Sequence, residues 1–142
     1  MTRKEIRLFL NKVIPGIYFE FKIGSNNRCM DAPAIVDISS TIWINKKQFK
    51  DYNRTEQKVI LMHEIGHILM GFGNDVSDSE YNAHIMALCL AEANKWKRLH
   101  NSIEKEILRW SKEYKWNDAK GKFRRYIIAS KKYLRNMNYI KN

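Results

Sequence analysis

Two histidines and a glutamate interrupt the apolar run VILMHEIGHILMGF at residues 59–72. His63 and His67 are four residues apart, so on a helix they lie on one face, one turn from each other. Two imidazoles in that arrangement can bind one metal ion, and the carboxylate of Glu64 can hold and deprotonate a water molecule beside it. This HExxH pattern predicts a zinc site for peptide hydrolysis, with His63 and His67 as ligands and Glu64 as general base.

The alternative interpretation of this segment is a core helix that carries two structural histidines. A carboxylate in an apolar run is costly unless it is paired, so Glu64 favours the metal site. Gly66 lies between the histidines, and a glycine inside a helix costs about 1 kcal/mol relative to alanine. We therefore expect another backbone to approach the helix closely at Gly66.

A catalytic zinc site needs a third protein ligand and one open position. The metzincin spacing requires a third histidine six residues after His67, where this chain has Gly73. The segment DVSDSEYNAHIMAL that follows offers four candidates: Asp75, Asp78, Glu80 and His84.

Glu80 is the favoured third ligand because it lies in the first turn of the next predicted helix. Ser77 and Glu80 also have capping-box spacing, which is the structural alternative for Glu80. His84 is the next candidate ligand. If Glu80 binds the metal, we expect His84 to hydrogen-bond a ligand or to donate to the oxyanion of the reaction.

The elements around the motif are predicted from periodicity and capping signals. Asn53 and Glu56 form a capping box that begins the HExxH helix, and the glycines after residue 70 end it. We predict a first helix at residues 2–13 and three strands at 17–23, 33–38 and 41–45. The HExxH helix begins at residue 53, and the next helix begins at residue 77 or 79 and continues to about residue 99. Two further helices are predicted at 102–116 and 118–138. This order predicts an α+β fold with a small three-stranded sheet, two active-site helices and two basic C-terminal helices.

Composition places the 142-residue chain among globular proteins, with 44% hydrophobic residues. No apolar run reaches membrane-spanning length, and the N-terminus lacks the features of a signal peptide. Cys29 and Cys89 are far apart and without CxxC spacing, which is typical of free thiols. We expect a cytoplasmic protein without membrane contact.

The net charge of +11 arises in the C-terminal third of the chain. Residues 95–142 contain 15 lysines and arginines against 4 acids, while residues 1–94 are neutral overall. Such asymmetry is typical either of a surface that meets nucleic acid or an acidic protein, or of a solvated basic surface. The candidate contacts are Arg124, Arg125, Lys131, Lys132 and Arg135. Aromatic residues interleave with these charges, and Trp110, Tyr114 and Phe123 are predicted to lie in the core.

HEIGHILMGF followed by EYNAHIMA at residues 80–87 resembles the ImmA/IrrE family of zinc metallopeptidases. The resemblance covers about residues 5–95, with Met86 where the family usually has an aromatic residue and Asn82 where many members have glutamate. It implies a minimal metallopeptidase core over residues 1–99, Glu80 as third zinc ligand, and the segment TIWIN (41–45) as the edge strand for an extended peptide. No part of the resemblance extends to residues 100–142, which we expect to pack on the same domain as a basic helical extension.

The resemblance also implies an intracellular protease, often on a mobile element or phage, that cuts a regulator such as a repressor. Our first hypothesis is therefore a zinc-dependent endopeptidase acting on a cytoplasmic protein. The alternative is a protein of metallopeptidase fold that binds nucleic acid or a partner, with structural zinc or without catalysis. The sequence leaves the substrate and the oligomeric state open.

Overall fold

The computed structural model describes the backbone of residues 1–24, 31–70, 76–113 and 119–141, and their side chains except those of 76–78, 113 and 119–122. The elements are α1 (Arg3–Val13), β1 (Phe21–Gly24), β2 (Ala34–Val36), β3 (Ile42–Asn45), α2 (Lys46–Phe49), α3 (Arg54–Met70), α4 (Val76–Ala93), α5 (Lys97–Glu113) and α6 (Ala119–Asn136). The helices and the small mixed sheet confirm the predicted α+β class.

Helix α1 begins at a capping box in which Thr2 and Glu5 each accept the other's backbone N–H. Its apolar side faces the core, as the helical spacing predicted. The buried residues of this side are Ile6, Phe9, Leu10 and Val13.

The three strands form a sheet in the order β1-β3-β2. Strand β3 pairs in parallel with β1, with Phe21 opposite Ile42, and antiparallel with β2, with Ala34 opposite Ile44. The prediction that residues 41–45 form an edge strand is therefore wrong, because β3 has a hydrogen-bonded neighbour on each side. Strand β2 is an edge of the sheet and packs against α3.

All three strands begin later than predicted, and β2 also ends earlier because a turn begins inside its predicted range. The carboxylate of Asp37 accepts the N–H groups of Ser39 and Thr41, and the resulting turn ends β2 at Val36. Helix α2 follows β3 directly and is capped by Asn45, whose side chain accepts the Gln48 N–H. This one-turn helix was not predicted.

Helix α3 starts where its capping signal predicted. The side chain of Asn53 accepts the Glu56 N–H at 2.9 Å, and the Glu56 carboxylate accepts the Asn53 N–H at 2.9 Å. The helix extends to Met70. The glycines predicted to end it, at positions 71 and 73, lie outside the described residues.

The prediction that the next helix continues to about residue 99 is wrong, since α4 ends at Ala93 and α5 begins at Lys97. Lys95 has a φ of 60°, in the left-handed region. The N–H of Lys95 donates to the Glu92 carbonyl and that of Trp96 to the Ala91 carbonyl, which is the Schellman pattern of a helix end. Helices α5 and α6 correspond to the two remaining predicted helices.

Helix α4 lies at the centre of the helical layer, where it packs against α3, α5 and α6. Its middle is buried on every side from Ala83 to Ala91, and Cys89 is a buried free thiol. Burial raises the pKa of the Cys89 thiol to about 12. Cys29 lies outside the described residues. In the part of the chain that is described, no helix is long and apolar enough to cross a membrane.

Candidate metal centre

Helices α3 and α4 come into backbone contact at Gly66. A Cβ atom at this position would lie 2.8 Å from the Cα of Ala83 and 2.9 Å from its carbonyl carbon. The predicted close approach is confirmed, and the approaching backbone belongs to α4. Because Glu80 lies three residues before Ala83, this contact brings its carboxylate to the face of α3 that carries His63 and His67.

The side chains of these three residues converge on one point. His63 Nε2 lies 2.7 Å from Glu80 Oε2, His67 Nε2 lies 3.1 Å from Glu80 Oε1, and the two Nε2 atoms are 3.0 Å apart. Two atoms bound to one tetrahedral zinc ion at 2.0–2.1 Å lie about 3.3 Å from each other. The separations here are shorter than that, and the side chains of His63, His67 and Glu80 could together hold one metal ion.

The electrostatics of the cluster suit a cation. Burial alone would raise the pKa of Glu80, but hydrogen bonds from His63 and His67 hold it well below its ordinary value. Burial lowers the pKa of His63, against the opposing effect of Glu80. The set thus offers an ionised carboxylate and an uncharged imidazole, which are the forms in which these side chains bind metals.

Glu64 lies on the next position of α3 and is only 7% exposed. Burial raises the pKa of its carboxyl group well above the ordinary value, and the charge of Glu80 raises it further. A carboxylate with a raised pKa binds a proton more readily, which is a property that a general base requires. Glu64 lines the same cleft as His63, His67 and Glu80, and its role as a base stays a prediction.

The outer nitrogens of both histidines have partners on α4. His63 Nδ1 lies 3.3 Å from His84 Nδ1, and His67 Nδ1 lies 3.3 Å from the hydroxyl oxygen of Ser79. His84 is therefore next to His63 rather than in the cluster, and its role stays a prediction. Ser79 was missed, because a serine before a glutamate carries no recognisable signal.

A cleft of about 770 Å³ opens over the cluster. Its walls come from residues 32–36, α3, α4 and α5. Trp110 on α5 lines the cleft with its ring centroid 5.3 Å from that of His84, and it donates its Nε1–H to Glu106. Trp110 packs against the core as predicted, but it also lines the cleft. Glu106 and Arg109 line the same wall and were not predicted.

The remaining predicted site residues lie elsewhere. Asp75 and the side chain of Asp78 lie outside the described residues. On α6, Lys131 pairs with Glu92 at 3.1 Å and is partly buried. The other candidate contacts on α6 are exposed: Arg124, Arg125, Lys132 and Arg135. Tyr114 also lies outside the described residues.

Comparison of the chain with protein-family models, with curated proteins and with solved structures found no match. The resemblance to the ImmA/IrrE family over about residues 5–95 therefore rests on the sequence alone, and it remains a prediction. Function has to be inferred from the chemistry of the site.

Proposed function

We propose that this protein is a zinc-dependent endopeptidase that hydrolyses a peptide bond in a cytoplasmic regulatory protein. The observation that supports this best is the convergence of His63, His67 and Glu80 within 4.8 Å of one another, beside the buried carboxylate of Glu64. Two imidazoles, one carboxylate and an adjacent base are the groups that metal-assisted hydrolysis requires.

In this proposal His63, His67 and Glu80 hold the zinc ion. Zinc, when bound, polarises a carbonyl group and lowers the pKa of a water molecule toward neutrality. Glu64 is the group that would accept the proton of the attacking water as the water oxygen bonds to the peptide carbonyl carbon. Glu64 then delivers the proton to the amide nitrogen, so the C–N bond breaks to give a carboxylic acid and an amine.

Strand β2 is the proposed docking edge for the substrate backbone. Within the described residues it pairs with β3 alone, and residues 34–36 line the cleft. An extended peptide adds to such an edge through main-chain hydrogen bonds, with little demand on its sequence. The proposed edge for the peptide thus moves from residues 41–45 to residues 34–36.

The test combines metal content with peptide cleavage. Protein purified without chelator should contain about one zinc per chain by elemental analysis, since three protein ligands are typical of a catalytic site. Glu80→Ala should lower that content. Glu64→Gln should keep the zinc and lose cleavage of a mixture of random peptides, followed by mass spectrometry.

The matched control is Glu104→Gln, which changes an exposed glutamate on α5 in the same way. It should retain both zinc and cleavage. Full activity in the Glu64→Gln variant would contradict the proposed base, and a wild-type protein without zinc would contradict the proposed metal centre.

The second candidate function is binding of nucleic acid through α6. The observation in its favour is the exposure of four basic side chains on a helix whose sequence contains no aspartate or glutamate. Phosphate groups are the complementary partners of such a surface. This function does not depend on Glu64, so the Glu64→Gln variant separates the two candidates.

A further inference from the structure

The cleft extends from the candidate metal centre along α3 toward the start of that helix. Tyr52, Glu56, Val59 and Ile60 line this part of it. Seven positions separate Glu56 from His63, and the helical rise places them about 10 Å apart along the axis. An extended peptide covers that length with about three residues. A peptide bound across the cleft therefore meets Glu56 about three residues from the bond that lies at the metal centre.

The wall between these two points is apolar. Val59 and Ile60 on α3 and Ala34 and Val36 on β2 line it. Among the described residues, three charged side chains line the cleft besides the proposed ligands and base: Glu56, Glu106 and Arg109. The charge that a bound peptide meets beyond the apolar wall is therefore set by these three residues.

Glu56 differs from the other two because its charge is not compensated. Glu106 and Arg109 pair with each other at 2.7 Å. Glu56 Oε1 accepts the backbone N–H of Asn53, and no cation of the described part of the chain forms an ion pair with the carboxylate. The cleft thus has an open carboxylate at the end near the start of α3.

The basic residues that neighbour Glu56 on α3 are turned toward α1. Arg54 forms an ion pair with Glu5. The ammonium group of Lys58 lies 5.6 Å from the ring centroid of Phe9. The positive charges nearest to Glu56 in sequence are therefore held on another side of the helix, and the cation that would complement Glu56 has to come from a bound molecule.

Tyr52 adds an aromatic ring to the same end of the cleft, with its side chain 38% exposed. An aromatic face attracts a cation, and a carboxylate pairs with one. The alkyl stem of a lysine or arginine packs well on apolar surface, such as that of Ile60. A basic side chain matches all of these features, whereas an acidic side chain would be repelled by Glu56.

We propose that Tyr52 and Glu56 form a subsite for a lysine or arginine side chain of the substrate, about three residues from the scissile bond. The proposal rests on the proposed function and adds a substrate class to it: peptides with a basic residue at this distance. Because Glu56 lies at one end of the cleft, the preference that depends on it should appear on one side of the bond.

The first test is cleavage of the random peptide mixture, with the products aligned at the scissile bond. An exposed ion pair and a cation–π contact together correspond to a preference of about 3–30-fold. Wild type should show this enrichment of lysine and arginine at one position. Glu56→Gln should abolish it, and its fold is preserved because glutamine also serves in a capping box. The same enrichment in Glu56→Gln would overturn the proposal.

Three further variants separate the charge of the subsite from its ring. Glu56→Lys should change the preference at the same position to aspartate and glutamate. Tyr52→Phe should keep the preference for a basic residue, and Tyr52→Leu should reduce it about 2–5-fold. Glu104→Gln, outside the cleft, is the matched control and should show the wild-type preference. An equal change in Glu104→Gln and Glu56→Gln would overturn the assignment to Glu56.

A binding experiment decides the proposal without cleavage. Immobilised Glu64→Gln protein is incubated with the same peptide mixture, and the retained peptides are identified by mass spectrometry. Peptides with lysine or arginine should be enriched although the protein has a net charge of +11. Adding Glu56→Gln should remove the enrichment, and adding Glu104→Gln should not.

The two experiments fail in different ways. If wild type cleaves no peptide, the proposed function fails, and the binding comparison still decides the subsite. A set of retained peptides that is the same with and without Glu56→Gln would overturn the subsite, whether or not the protein cleaves peptides.

Discussion

At the scale of single residues, Asp37 shows how one side chain fixes the end of a strand. Its carboxylate accepts the Ser39 N–H and hydroxyl, the Thr41 N–H, and the Nε1–H of Trp43 at 2.8 Å. The Trp43 hydrogen bond is the largest cause of a pKa lowered to about 2, and the turn N–H groups lower the pKa further. The ionised form of Asp37 is therefore the one that stabilises the turn beside the cleft.

We expect Trp43→Phe to raise the pKa of Asp37 toward its ordinary value of 3.8. A lowered folded-state pKa contributes stability that is present above the unfolded-state pKa and is lost as pH falls through the folded-state value. The variant should therefore be less stable than wild type above about pH 4, and this part of the difference should vanish toward pH 2. NMR titration of Asp37 and urea denaturation at several pH values measure both effects.

The matched control is the same substitution in an Asp37→Asn background. There Trp43→Phe should change stability equally at every pH, because position 37 no longer carries a carboxyl group that titrates. A pH-dependent difference that persists in this background would assign the effect to another group.

The residues of the candidate metal centre could be predicted to the extent that their spacing is local. His63 and His67 had to share a face because four residues make one helical turn, and Glu80 was favoured because it begins the next helix. Ser79 and Trp110 lie near the same cluster through packing between helices. No sequence spacing encodes that packing, so the sequence could not assign them.

At the scale of elements, the crossing of α3 and α4 depends on Gly66. Gly66→Ala would place a methyl group within 3 Å of the Ala83 backbone, so the helices must separate. Such overpacking typically costs about 1–3 kcal/mol, more than the gain of about 1 kcal/mol in helix propensity. Chemical denaturation should show a net loss of stability. In the proposed function, a zinc-binding assay should also show weaker binding, because Glu80 moves away. A variant as stable as wild type would contradict the close approach.

In the turn between α4 and α5, a substitution is expected to raise the stability of the protein rather than lower it. Lys95 adopts a left-handed φ of 60° at a helix end, where glycine is preferred. Lys95→Gly should therefore stabilise the protein by about 1 kcal/mol. Lys105→Gly, in the exposed middle of α5, should destabilise it by about 1 kcal/mol. Thermal denaturation of the two variants measures both changes in stability. An equal loss of stability in the two variants would contradict the interpretation of the turn.

The strength of the local sequence signals explains which elements were predictable. The start of α3 was encoded locally by Asn53 and Glu56, so the prediction was confirmed. The end of α4 was missed because lysine at position 95 gives no stop signal, and α2 was missed because one turn has no measurable periodicity. The order of strands in a sheet depends on pairing between segments that are far apart in the chain. The residues of β3 alone therefore could not show that it is the central strand.

At the scale of the whole molecule, positive charge is concentrated on one end of the chain. The second candidate function predicts salt-sensitive binding of duplex DNA, with a slope of log affinity against log salt of about −0.9 per phosphate contact. Charge reversal at Arg124, Arg125, Lys132 and Arg135 should weaken binding and reduce the slope by up to about 3.6. Fluorescence anisotropy with a labelled duplex measures this.

The control reverses four exposed lysines elsewhere, at positions 4, 46, 47 and 50, and so produces the same net charge. It should leave the slope nearly unchanged if α6 is the binding surface. Equal losses in the two variants would indicate a general effect of charge, and absence of binding at low salt would exclude this function.

Helix α5 forms one wall of the cleft, although it lies outside the segment that carries the proposed ligands and base. The proposed ligands and base lie on α3 and α4, but one wall of the cleft, with Trp110 and Glu106, comes from a helix beyond the region that resembles a peptidase core. Removing the chain after residue 96 would uncover the imidazoles of His63 and His84. In the proposed function, substitutions on this wall would change what fits beside the metal while leaving the proposed ligands and base in place, so selectivity beside the metal and chemistry would reside on different helices.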